Sequence, residues 1–128
     1  MHSNDRADIT EAALLLRISQ YYRDGMEPIE LYDATRGRWV IGPDRDKAQF
    51  ALTVYKGVVK EVYEIKGWYT AGATFSTRTD APPEGRWEFV GNIAEQSIRD
   101  KYINKSVAHY FDQGGSNPVR YVNVKEEK

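Results

Sequence analysis

Apolar positions fall into short blocks divided by turns rich in Gly and Pro. In "DITEAALLLRISQYYRDG" (8–25), Leu14, Ile18, Tyr21 and Tyr22 recur at helical spacing, and Leu15 and Leu16 widen the stripe. With Asp8 as cap, Glu11 at the capping-box position and Gly25 as stop, the block predicts a helix. Pro28 breaks the chain. "IELY" then predicts a short strand, "DATRG" a turn or short helix and "RWVIG" another strand. Asp44 is placed to cap a second helix, "RDKAQFALTVY", with Ala48, Ala51, Leu52 and Tyr55 on one side and Gly57 as its end.

"VVKEVYEI" is rich in β-branched residues and predicts a strand that is partly apolar on both faces, with Val58 and Val62 on one and Val59, Tyr63 and Ile65 on the other. "GATFSTR" predicts a further strand and "TDAPPEG" a loop. "RWEFV" predicts a strand with Trp87 and Phe89 on one face, and Arg86 and Glu88 on the other. "IAEQSIRDKYI" predicts a helix burying Ile93, Ala94, Ile98 and Tyr102, and "SVAHYF" a short helix. "QGGSNP" reads as a loop, "VRYVNV" as a closing strand and "KEEK" as a solvated tail. The order implies an α+β domain: a small curved or partly open β-barrel with interleaved helices.

At 128 residues the chain suits one domain over 1–128, with 1–7 and 125–128 as flexible tails. A net charge of −1 gives no global field toward nucleic acid, so any such contact must be local. The absence of cysteine removes disulfides, thiolate nucleophiles and Cys-based zinc sites, and only His2 and His109 supply imidazole. No cofactor or metal is expected. The polar N-terminus and the lack of a long apolar run predict a soluble cytoplasmic protein with no membrane partner. Aromatics reach 12%, with nine Tyr and three Trp. This is the one unusual figure, and it suits barrel cores and stacking sites alike.

Phosphate-binding glycine patterns and a serine elbow are absent, and the carboxylates form no recognisable catalytic motif. "YINKS" is similar to the second half of the GIY-YIG nuclease signature, but Asn104 replaces its glycine, so a helix-end turn is the better reading. His109 reads as a surface or packed histidine before it reads as a general base. Arg36, Arg38, Trp39, Lys56, Trp68, Tyr69, Arg86 and Trp87 form an aromatic and basic group. It supports two readings. Either Arg and Lys stems cover core rings, or a pocket stacks a base and holds phosphate. The loop in "FDQGGSNPVRY" either presents Ser116 and Asn117 to a ligand or sets the entry to the last strand.

Read together, "LYDATRGRWVIG", "DKAQFALTVYKGVVKEVYEIKGWY", "GRWEFVG", "KYINKSVAHYF" and "GGSNPVRYVNV" resemble a bacterial and phage domain found alone or after GIY-YIG nuclease modules. The pattern also resembles the PUA-like superfamily, including EVE and ASCH domains. These resemblances imply a non-catalytic reader of RNA or of a modified base, with nucleic acid as partner. The expected binding residues are Arg36, Arg38, Trp39, Trp68, Arg86, Trp87, Lys105, Ser106 and Asn117, with no catalytic residue. The alternatives are a small-molecule or protein-interaction domain, or a nuclease-associated accessory domain with weak hydrolytic chemistry.

Overall fold

A computed structural model describes residues 5–18, 22–76, 81–111 and 117–124. Five strands form one mixed sheet: β1 (Ala13–Arg17), β2 (Phe50–Tyr55), β3 (Val58–Thr70), β4 (Trp87–Ile93) and β5 (Val119–Val122), in the order β4-β3-β2-β1-β5. β1 and β2 run parallel, and every other neighbouring pair is antiparallel. The parallel pair requires a crossover, which contains α1 (Pro28–Arg36). The second helix, α2 (Gln96–Tyr102), follows β4, and 3₁₀ turns lie at Pro43–Lys47 and Ala108–Tyr110. The α+β class of the sequence reading holds. Among the described residues the sheet does not close into a barrel, and β4 and β5 are its edges.

Both faces of the sheet are covered. Leu14, Leu16, Ala51, Tyr63 and Phe89 pack on the α1 side with Trp39 and Leu31. Ala13, Leu15, Leu52, Val59 and Val62 pack on the other side with Tyr102 of α2 and Val107. This two-sided burial explains the largest departures from the predicted elements. "ALLLR" and "FALTVY" are central strands whose continuous apolar runs mimic a wide helical stripe. The two predicted helices over 8–25 and 45–55 are therefore strands in their apolar parts.

"IELY" is helical, not extended, because Pro28 occupies the first turn of α1, where its missing N–H costs nothing. The Glu30 carboxylate accepts the Glu27 N–H there at 3.3 Å. "RWVIG" forms no strand and contributes only the bridge between Trp39 and Trp87. In "GATFSTR", residues 72–76 form a turn and bends, and 77–78 lie outside the described residues. Val59 shares a face with Val62, against the alternation expected, because a register shift opposite Thr53 and Val54 leaves Lys60 as an extra residue in β3. Ile93 belongs to β4 and is half exposed, not on the buried side of α2.

β3 and β4 outrun β2. Their far halves, up to Thr70 paired with Trp87, form a two-stranded ribbon beyond the central sheet. Three devices cover the outer edge of β4. Trp87 exchanges backbone hydrogen bonds with Trp39, both at 2.9 Å. Arg36 donates to the Phe89 carbonyl at 3.2 Å, and the Gly91 N–H donates to the Tyr32 hydroxyl at 3.0 Å. A sheet edge paired in this way is closed to further strands.

Candidate functional site beside the outer strand

The end of α1 brings two charged residues into the protein interior. Arg36 and Asp33 are each 2% exposed, and Arg36 Nε donates to Asp33 Oδ1 at 2.9 Å. Glu88 of β4 is also buried, with Oε2 3.6 Å from Arg36 Nη1. Arg36 further donates to Thr74 Oγ1 at 2.6 Å and to the Phe75 carbonyl. The loop after β3 is thereby tied down from two sides. Glu88 accepts the N–H groups of Gly72 and Thr74, each at 2.9 Å, and the Thr74 hydroxyl.

Buried charges require this degree of pairing, since an isolated one would cost several kcal/mol. Burial alone would raise the Glu88 carboxyl. The Thr74 hydroxyl, the Gly72 and Thr74 amides and the Arg36 guanidinium outweigh it and hold the group below its ordinary value.

A cavity of about 210 Å³ opens over this network, lined among others by Asp33, Arg38, Thr74, Ser76 and Glu88. Its lining mixes acceptors and donors. Arg86 lies beside it, with Nη1 3.5 Å from the Arg38 carbonyl. Arg38 itself has φ of +74°, which turns the chain sharply between α1 and the Trp39 bridge.

No protein-family profile matches the chain, and no curated protein or solved structure matches it significantly. The site therefore stands on its own geometry.

Six of the nine expected residues, Arg36, Arg38, Trp39, Trp68, Arg86 and Trp87, gather around the ribbon. Their roles differ. Trp39 is 8% exposed and its indole N–H donates to the Thr35 carbonyl at 2.7 Å, so it is a core residue. Trp68 packs edge-on against Phe89, ring centres 5.5 Å apart. Trp87 is half-buried, and the Arg45 guanidinium lies 3.6 Å from its ring centre. Arg36 is a buried anchor, while Arg38 and Arg86 are only partly buried.

The other three lie elsewhere. Asn117 borders a separate cavity of about 300 Å³ with Val40, Ile41 and Arg120, and its Oδ1 accepts the Val119 N–H at 3.0 Å. That contact matches the strand-entry reading of its loop. Ser116 lies outside the described residues. Lys105 and Ser106 pair with the start of β3, at Val59 and Val58. Val59 is eleven positions from Thr70, roughly 36 Å along the strand at about 3.3 Å per residue. They do not join the ribbon group.

"YINKS" is the end of α2 followed by a turn with Asn104 at φ +68°. His109 is exposed, with its ring against Tyr110 and in neither described cavity. Sequence reading missed Asp33, Thr74, Glu88 and Arg45. Only the fold brings "YDATR", "ATF" and "WEF" together, so no local spacing signals them.

Proposed function

We propose that this domain is a non-catalytic nucleic-acid-binding module and that the cavity beside β4 is its contact site. The observation that carries this reading is the rigid polar cavity over the Asp33–Arg36–Glu88 network, with Arg38 in its wall and Arg86 alongside. A mixed donor and acceptor lining suits the edge of a base, and flanking guanidinium groups suit phosphate. The buried carboxylates face Arg36 and the loop amides, which supports a binding role over an acid–base one. The resemblance of the quoted phrases to a GIY-YIG-associated domain, and that of the predicted pattern of small strands and interleaved helices to PUA-like domains, belong to the same proposal. Among the described residues no helix is long and apolar enough to cross a membrane.

The test is titration of tryptophan emission with single-stranded DNA, RNA and modified-base duplexes at low and moderate salt. The expected result is a saturable change that weakens with salt. Replacing both Arg38 and Arg86 by alanine lowers the salt slope by about 2, near one per phosphate contact. No response to any nucleic acid at low salt, with iodide still quenching part of the emission, would overturn the proposal.

A further inference from the structure

Phe75 is 84% exposed, the highest value among the exposed large apolar residues. A single exposed apolar side chain is ordinary on a loose loop. This loop is not loose. Its two preceding anchor points, Gly72 and Thr74, are bonded to buried Glu88, and the Phe75 carbonyl is bonded to buried Arg36. Two buried charged side chains, Glu88 and Arg36, thus fix the backbone from which the ring projects. The flanking residues Thr74 and Ser76 both line the 210 Å³ cavity, whereas the Phe75 side chain does not. The ring therefore projects to solvent from a backbone segment that borders the cavity.

We infer that Phe75 is a stacking platform for one unstacked base of a single-stranded nucleic acid. This inference rests on the nucleic-acid reading of the site. A base lying on the ring turns its polar edge toward a cavity walled by Asp33, Thr74, Ser76 and Glu88. Its phosphates then lie near the cationic side formed by Arg38 and Arg86. A base inside a duplex has both faces occupied by its neighbours and offers none to Phe75. The polar lining of the adjacent cavity, where Arg36 and Arg38 stand beside Asp33 and Glu88, favours this occupant over a second apolar surface. Holding the platform rigid in advance lowers the ordering cost of binding.

The test uses the full chain, wild type and with Phe75→Ala or Phe75→Trp, titrated against fluorescein-labelled single-stranded DNA and RNA 12-mers and the matching duplex. Anisotropy is read at two salt concentrations. Because the side chain is exposed, all three proteins should melt alike. Phe75→Ala should weaken single-strand binding roughly tenfold, within the range for one base on one ring, with an unchanged salt slope and unchanged duplex binding. Phe75→Trp should restore affinity and add an emission that the strand quenches.

Wild-type affinity in Phe75→Ala would overturn the platform while leaving the nucleic-acid reading intact. No binding of any strand by the wild type at low salt would overturn both. Sedimentation that shows Phe75→Ala dissolving a dimer, with strand affinity unchanged, would assign the ring to a second copy of the chain and overturn the inference.

Discussion

At the scale of the residue, Arg36 has the most consequence for the least exposure. Its Nε, Nη1 and Nη2 groups reach Asp33, Thr74 and the Phe75 and Phe89 carbonyls. Removing the guanidinium takes away the buried cation that both Asp33 and Glu88 contact. Arg36→Met should therefore lower stability by about 3–5 kcal/mol in chemical denaturation, the range for breaking a buried pair from one side. A loss under about 1 kcal/mol would mean that water reaches the network and screens it. Little of this was legible in the sequence. Arg36 was picked out for its neighbours Arg38 and Trp39, as a phosphate ligand, and a cation at that position carries no mark of whether it turns inward. Its partners Thr74 and Glu88 are 38 and 52 positions further along the chain, a separation that local pattern does not bridge.

At the scale of the element, β4 combines a protected edge with a tight inner face. A Cβ at Gly91 would lie 2.1 Å from the Glu64 carbonyl oxygen of β3, so the backbone itself excludes a side chain. Gly91→Ala should cost at least about 1–3 kcal/mol and shift the Ile65–Gly67 irregularity opposite it. Thermal melting checks the first effect, and amide exchange along β3 and β4 checks the second. On the outer edge, Tyr32→Phe removes the acceptor for the Gly91 N–H and should cost about 1 kcal/mol. Exchange of the Gly91 amide should quicken in that variant; an unchanged rate would assign its protection to burial, not to the hydroxyl. Elements at the sheet margin, such as the "RWEFV" strand and the helix before Tyr102, were legible because each shows one apolar and one polar face. β1 and β2 were not, since a strand buried on both faces loses its alternation and its Ala and Leu residues favour helix on propensity alone.

At the scale of the whole molecule, two carboxylates clamp opposite sides of the sheet. Glu88 ties β4 and the loop after β3 to α1. Glu11 ties the N-terminal segment to α2 by bonding Lys101 Nζ at 2.6 Å and the Tyr102 hydroxyl. At Glu11 burial again raises the carboxyl, and the bonds from Lys101 and Tyr102 outweigh it, so the folded-state value lies below 4.5. Glu88 is depressed from the same ordinary value. In each case the unfolded chain binds the proton more readily than the folded one. Both contributions are therefore fully present above the ordinary value, and they decline as pH falls below it and through the folded-state values. Urea unfolding measured from pH 7 down to pH 3 should show flat stability at first and a drop beginning near pH 4.5. Glu11→Gln and Glu88→Gln should each make that drop shallower, and the double variant should remove the sum of the two changes, because the clamps share no partner. Glu88→Gln should also lower stability at neutral pH, where the ionised group is paired, and the test is the slope, not the level. If the slope of Glu88→Gln matches that of the wild type, the carboxylate is not the charged anchor of the loop. The rigid presentation of Phe75 would then need another source.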